Sequence, residues 1–413
     1  MTGERLLIIS PGVPHKSEGA SSVLFYHYIE QLNRAGFRIL NALLCDSIHE
    51  PEEYQRVLAT YRQELESAGQ FDIRVVRSRG FIRRSPLTIR LDMKSLQPLK
   101  VPVEAFMPDI VLCFDLMSAW VARALNCPGA SVAWLGDLNF QTGWYHALYG
   151  CRERPILAVK VPLEWFRGQL WRRIYRRVLG GFKAVIVSSK SSEVQLARIG
   201  ISSHYLPYPW PSVPSRGSAP GLEPGTVPTF VFFGNLAALG SRSALHFLVR
   251  KLYPKLVGRW GHGGFRIRIA GKGDLPGWVL QTMKARPECE VLGFEDDLDG
   301  LLASCHAMLA PIDVPVGNRS RIVTAMAKGS LVIAHKNAAL GNPDLVDGET
   351  CYLAGTADEF VDRMEAVVTD PARSAQIVDR AREVYNSRFK PEAAFQMLLQ
   401  VLNKVSGARS AHS

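Results

Sequence analysis

No apolar run in this 413-residue chain reaches the roughly 18 to 20 residues needed to cross a bilayer, which argues against a membrane-spanning enzyme. The start, Met1-Thr-Gly-Glu-Arg5 followed by Leu6 to Ile9, is too short and too poorly flanked for a secretory signal. The expectation is a cytoplasmic protein, at most peripheral on the inner face of the cell membrane. Cysteines are few: Cys45, Cys113, Cys127, Cys151, Cys289, Cys305 and Cys351 stand singly, with no C-x-x-C pair. That spacing indicates neither a zinc site nor a disulfide framework, and suits small core residues in a reducing compartment. The turn after the first apolar strand, Pro11 to Ser22, carries neither G-x-G-x-x-G nor G-x-x-x-x-G-K-[ST], so hydride transfer and ATP hydrolysis lose their best sequence support.

Acidic residues are also in deficit. Forty-nine Lys and Arg against 38 Asp and Glu leave a formal charge of +11, which implies attraction to something anionic. Arg74, Arg77, Arg79, Arg83, Arg84, Arg90, Lys94 and Lys100 form one basic cluster. Arg167, Arg172, Arg173, Arg176 and Arg177 form a second, threaded among Trp165, Phe166, Leu170, Trp171, Ile174 and Tyr175 at roughly helical spacing. This second stretch has three readings: a structural helix with solvated arginines, an interfacial helix resting on anionic lipid with Trp165 and Trp171 among the headgroups, or a nucleic-acid surface. No zinc finger or RNA-recognition sheet accompanies it, and lipid is preferred over nucleic acid.

Short apolar strands alternate with helical stretches over most of the length: Leu6 to Ser10, Phe37 to Leu44, Ile110 to Phe114, Ser131 to Leu135 and Ala184 to Ser189 before a Pro- and Gly-rich break, then Thr229 to Phe233, Arg266 to Ala270, Glu290 to Leu292, Ala307 to Ala310 and Leu331 to Ala334. Such alternation predicts an α/β chain with parallel sheets covered on both faces. The boundaries are an N-terminal domain over 1–205, a linker over 206–228, a second domain over 229–388, and a C-terminal helix and tail over 389–413 that packs back on the first domain. Two doubly wound domains leave a cleft, and ligands of such sheets bind beyond the carboxyl ends of strands.

Glycine-bearing turns follow the strands where that rule looks for a ligand. Gly19 lies in the first, with Ser21 or Ser22 as a helix cap; Gly234, Gly271 and Gly293 follow strands in the second half. After Ala307 to Ala310 comes Gly317-Asn-Arg-Ser-Arg-Ile-Val-Thr-Ala-Met-Ala-Lys-Gly329, a turn that opens a short helix. Free backbone N–H groups and the dipole at that helix start attract anions, and Arg319 and Arg321 add charge. A diphosphate is the obvious guest. The string Asp296-Asp-Leu-Asp299 resembles a metal-binding D-x-D but sits at a helix start, where acids serve capping; no metal is expected. His146, beside Trp144 and Tyr145, is either packed or lines an acceptor cleft.

In this order, Gly19-Ala20, Ala184 to Ser189, Phe232-Phe-Gly234, Ile269-Ala-Gly-Lys-Gly273, Val291-Leu-Gly-Phe294 and the block from Gly317 to Gly329 resemble the retaining nucleotide-sugar glycosyltransferases of the GT-B fold, family 4 (group 1). The last block is similar to G-x-R-x-K-x-x-E-A-M-A-x-G. The resemblance implies two Rossmann-like domains and metal-independent transfer of a sugar, with retained configuration, to a hydroxyl acceptor, in surface-glycan biosynthesis. The nucleotide-diphosphate sugar is a co-substrate and no cofactor is implied; the acceptor is a glycan, lipid-linked or other hydroxyl compound. Arg319 and Arg321 are implied to hold the diphosphate and to act in catalysis electrostatically, with Asp137 orienting the acceptor. Gly19, Gly234, Arg242, Gly271, Gly293, Phe294, Gly317 and Thr324 complete the implied donor site.

The chain departs from that pattern at four places. Val316 and Thr324 stand where the family often has two glutamates, Asn235 where an arginine is frequent with Arg242 close downstream, and Gly136-Asp137 where a His-Asp pair is common. These departures motivate an alternative, a catalytically weak or inactive GT-B-like protein that binds a nucleotide-sugar or a partner. An epimerase on the same fold is a further rival, and needs carboxylates that the pattern does not supply.

Overall fold

The computed structural model describes residues 3–17, 19–46, 51–85, 87–211, 225–317 and 319–410. It divides into two compact units, one of Met1–Trp210 with Pro391–Ser413, the other of Pro211–Lys390. Much of the proline- and glycine-rich segment read as a linker, 212–224, lies outside the described residues.

In the first unit, seven parallel strands are ordered β3-β2-β1-β6-β7-β8-β9: β1 Arg5–Pro11, β2 Arg38–Asp46, β3 Phe71–Ser78, β6 Ile110–Phe114, β7 Ala130–Leu135, β8 Ala184–Val187 and β9 His204–Tyr205. A separate antiparallel hairpin pairs β4 Ile82–Arg84 with β5 Ile89–Leu91. The central strands are buried on both faces; Leu6 to Ile9 and Ile110 to Phe114 are wholly inaccessible, which is why they appear in the sequence as unbroken apolar runs. β3 differs, alternating buried and exposed positions, because it is an edge strand with one face in water. The helix Pro391–Ser410 belongs to this unit, with Ala394, Leu398 and Leu402 inaccessible.

The second unit carries six parallel strands in the order β12-β11-β10-β13-β14-β15: β10 Thr229–Phe233, β11 Arg266–Ala270, β12 Cys289–Gly293, β13 Ala307–Ala310, β14 Val332–His335 and β15 Tyr352–Ala354. Because every neighbouring pair is parallel, all six strands end on the same edge. Between β10 and β11 the chain forms the helix Leu239–Phe247, a π-turn Leu248–Leu252 and the helix Tyr253–Trp260.

Candidate functional site

At the carboxyl edge of the second sheet the glycine turns meet. The Gly234 amide donates to the Ala270 carbonyl at 3.1 Å, the Leu236 amide to Lys272 at 2.8 Å, and the Gly271 amide to Gly293 at 2.6 Å. The approach at Gly271 tolerates no side chain: a Cβ there would lie 1.7 Å from the Gly234 oxygen, at φ 146°. Phe294 extends the edge, more than half exposed, with the Lys272 ammonium 4.7 Å from its ring centre.

The block Gly317 to Gly329 forms the next turn and the helix Ser320–Lys328. Gly317 (φ 100°) and Arg319 (φ 55°) both take positive φ, and Arg319 is the helix N-cap residue. For arginine this is an uncommon conformation. It holds its guanidinium against the Val314 carbonyl, to which Nη2 donates. Gly329 ends the helix in the left-handed conformation that favours glycine.

Arg321, in the first turn, folds over Phe232 of β10, its guanidinium carbon 4.9 Å from the ring centre. Nη2 donates to the Ser241 hydroxyl at 2.7 Å; Nη1 is buried and has no partner among the described residues. Burial first, and then the like charge of Arg319, push its pKa down to about 9. It still carries its charge at neutral pH, at a cost that an incoming anion would relieve. Both arginines lie close against glycines. A Cβ on Gly234 would stand 2.9 Å from the Arg321 guanidinium carbon, and one on Gly240 3.1 Å from Arg319 Nη1.

The remaining expected donor residues fall on the same edge with mixed chemistry. Arg242 is half-buried in the helix Leu239–Phe247. The Thr324 hydroxyl donates to the Ser320 carbonyl at 3.0 Å, within its own helix, and Val316 is buried. Asn235 acts in its turn, its side-chain oxygen accepting from the Ala237 amide at 3.1 Å. A carboxylate that sequence reading did not single out, Asp313, lies in the loop after β13 and accepts from the Ser243 hydroxyl at 2.6 Å. Ser241 was also missed, although its place in Gly240-Ser-Arg242 marks it as the first small polar residue of a helix facing the Arg321 turn.

In the first unit Gly19 (φ 75°) is the N-cap residue of the helix Ala20–Arg34, without a side-chain cap. Ser22, expected as a cap, instead donates to the Val13 carbonyl at 3.2 Å. Asp137 is exposed just beyond the end of β7. Its unanticipated neighbour is Asp115, which follows β6 with φ 73°. Burial raises the Asp115 carboxyl, the Leu116 amide opposes that, and Asp137 raises it further. An aspartate directly after the buried run Ile110–Phe114 was the available signal. His146 and Trp144 line a pocket of about 310 Å³ with Asn139, Glu164, Arg167 and Arg84.

The string Asp296 to Asp299 serves a helix start: Asp297 accepts from the Gly300 amide at 2.9 Å, and Asp299 pairs with Lys328 at 2.5 Å. Trp171, which the interfacial reading puts among lipid headgroups and the structural-helix reading packs on the sheet, is buried, with Arg84 stacked 5.4 Å above it. Its neighbours Arg172 and Arg176 are also engaged, over Phe140 at 5.1 Å and with the Ile199 carbonyl at 3.0 Å. The helix Val161–Leu179 turns Trp171 toward the sheet and leaves Trp165 outside.

Residues 227–370, which span the second sheet and this site, match the family model described as glycosyl transferases group 1. The fold is that of GT-B glycosyltransferases. A glycosyltransferase from Rickettsia africae superposes with a TM-score of 0.67 at 12% identity, over 98% of this chain and 99% of that one. HepE from Anabaena, solved with UDP, gives 0.64 at 14% identity over 97% and 100%. Sucrose-phosphate synthase from Thermosynechococcus elongatus gives 0.62 at 17% over 98% and 100%. No curated protein matches the chain in sequence.

Proposed function

We propose that this protein is a retaining, metal-independent glycosyltransferase of family 4 that moves a hexosyl group from a nucleotide-diphosphate sugar to a hydroxyl acceptor, in surface-polysaccharide synthesis at a membrane surface. The observation that carries the reading is the Arg321 guanidinium: charged, beside Arg319 at a helix N-terminus, and with its buried Nη1 unpartnered among the described residues. A fold tolerates such a group where an anion completes it.

In this reading the sugar C1–oxygen bond to the diphosphate breaks as the acceptor oxygen bonds to C1, and the acceptor proton passes to a phosphate oxygen of the leaving nucleoside diphosphate. Negative charge grows on that diphosphate. Arg319, Arg321 and the first-turn amides stabilise it where it develops. Gly234, Gly240 and Gly271 keep the edge clear for the phosphates, Gly293 and Phe294 receive the base, and Arg242 and Thr324 border the sugar and ribose. Asp137 and Gly19 act from the first unit, Asp137 on the acceptor. The UDP in the HepE structure supports a uridine-diphosphate sugar as the first donor to try.

One observation favours a second reading, binding without turnover: Val316 is buried and Thr324 bonds its own helix, so neither supplies a carboxylate. Calorimetry with UDP- and GDP-sugars, followed by a transfer assay, separates the two. Binding with product supports the transferase; binding without product supports the second reading; no binding of any donor sinks both.

A further inference from the structure

Within the first unit, the helices Asn139–Glu153 and Val161–Leu179 and the β4–β5 hairpin enclose the pocket of about 310 Å³. It is lined by none of the residues assigned to the donor. Its volume is at the low end of the roughly 300–1,000 Å³ usual for small-molecule sites, which suits a single monosaccharide unit.

Arg84 is the charge that the pocket leaves uncompensated. Its guanidinium lies 5.4 Å from the ring centre of Trp171, which is buried, so the stack has a fixed base. Among the described residues no carboxylate pairs with it. A guanidinium seated by its face on a ring keeps its N–H edges for a ligand in its own plane, the geometry of a bidentate carboxylate. The pocket's other arginine, Arg167, is already neutralised by Glu164 at 2.5 Å. His146, exposed at the wall, is its remaining titratable group. A lone uncompensated cation matches a monoanion better than a phosphate monoester, which carries about −1.5 to −2 at pH 7.

The uncharged walls suit a hydroxylated ring. Asn139 Oδ1 accepts from the buried Tyr175 hydroxyl at 2.9 Å, which fixes the amide and leaves its NH2 group as a donor. The Thr142 hydroxyl donates to the Leu138 carbonyl at 3.2 Å and can accept in turn. Trp144 and Ile89, both half-buried, give apolar surface to ring C–H groups. Gly143 stands inside its helix, where glycine is a poor former, and packing does not demand it. A Cβ there would meet nothing nearer than Glu164 Oε2 at 3.8 Å. A longer side chain would point across the pocket toward that glutamate, which lines it as well.

We propose that this pocket binds a hexuronic acid unit of a glycan, with its carboxylate on Arg84, its hydroxyls on Asn139 and Thr142, and its ring against Trp144. Asn139 follows Asp137 by two residues. The acceptor is then an acidic glycan whose uronic acid sits beside the reacting sugar, a conclusion that rests on the transferase reading, whereas the binding itself does not.

The full-length protein is titrated calorimetrically with methyl glycosides of glucuronic, galacturonic and mannuronic acid, each beside the methyl glycoside of its neutral hexose, and with glucose 6-phosphate. Wild type binds at least one uronide about tenfold tighter than its hexoside, the scale of one charge-assisted contact. Arg84→Gln removes the charge at an exposed position and abolishes that preference, so that uronide and hexoside bind alike. Gly143→Leu keeps or raises the melting temperature and loses binding of both. UDP is titrated in parallel. Uronide binding without UDP or any other donor would sink the transferase reading and uphold the pocket; donor binding without uronide preference would do the reverse. No uronide bound above its hexoside, glucose 6-phosphate bound above every uronide, a preference kept in Arg84→Gln, or wild-type binding in a folded Gly143→Leu would each overturn the proposal.

Discussion

Replacing Arg321 by methionine tests whether its guanidinium is there for the fold or for an anion. Methionine keeps the apolar stem over Phe232 and removes the charge. In the unliganded protein the loss is a charge-assisted bond to Ser241 at 2.7 Å, worth about 1.5–3 kcal/mol, and a cation–π contact at 4.9 Å, worth about 0.5–2 kcal/mol. The gain is relief of the unpartnered Nη1, about 1–3 kcal/mol, and of repulsion from Arg319. Ser241 is not orphaned, since its hydroxyl also reaches the Asn235 carbonyl. The terms nearly cancel, and unfolding free energy should change by no more than about 1 kcal/mol, roughly 2–4 °C in Tm for a unit of this size.

Ligand binding breaks the cancellation. A nucleoside diphosphate at 100 times its Kd stabilises the wild type by about 2.7 kcal/mol. If Arg321→Met weakens binding about 10- to 100-fold, the scale of one charge-assisted contact, the same concentration stabilises the variant by only about 1.4 to 0.4 kcal/mol. Differential scanning calorimetry with and without UDP, and isothermal titration for Kd, read both quantities. A variant that melts more than about 3 kcal/mol less stable yet keeps the nucleotide shift would refute the reasoning: Arg321 would then be a structural group.

Gly234→Ala puts a methyl 2.9 Å from the Arg321 guanidinium at φ 137°; donor affinity should fall at least about tenfold with a folded protein by circular dichroism, and unchanged affinity would show that the guanidinium need not stay where it is. Asp115→Asn should raise the denaturation midpoint at pH 7. The raised carboxyl pKa makes ionisation a penalty above that pKa, so the advantage should vanish as pH falls through it, and asparagine tolerates φ 73°. The opposite sign holds for Glu288. Desolvation raises its pKa, but Tyr253, the Gly263 amide and His262 outweigh that and hold it near about 2. Its contribution is present above about pH 4.5 and lost as pH falls toward 2, so the acid limb of a stability curve should flatten in Glu288→Gln; an unchanged limb would remove Glu288 from acid unfolding.

What the sequence disclosed follows from burial. Strands covered on both faces, such as β6 and β10, cannot afford polar residues and so appear as apolar runs. β3 escaped because Phe71-Asp-Ile-Arg-Val-Val-Arg-Ser78 spends alternate positions on water, which made its arginines look like part of a surface cluster. The hairpin escaped for the same reason, with three-residue strands carrying Arg83, Arg84 and Arg90. At the candidate site the arginines of the Gly317 to Gly329 block were visible as a local pattern. Ser241 was not, because it meets Arg321 from 80 residues away.

The distant partners also change what the pattern means. Taken alone, two arginines at a helix start are equally compatible with solvated surface charge. Here each guanidinium faces a glycine from the turn and helix after β10, Gly234 opposite Arg321 and Gly240 opposite Arg319, and a side chain at either place would require the guanidinium to shift. The glycines are therefore a second place to test the site: Gly240→Ala, in a helix where alanine is the better former, should stabilise the helix if Arg319 moves aside without consequence. Loss of nucleotide affinity in Gly240→Ala, without loss of helix content, is the outcome expected if Arg319 holds the anion from its present position, and unchanged affinity would remove that position from the reading.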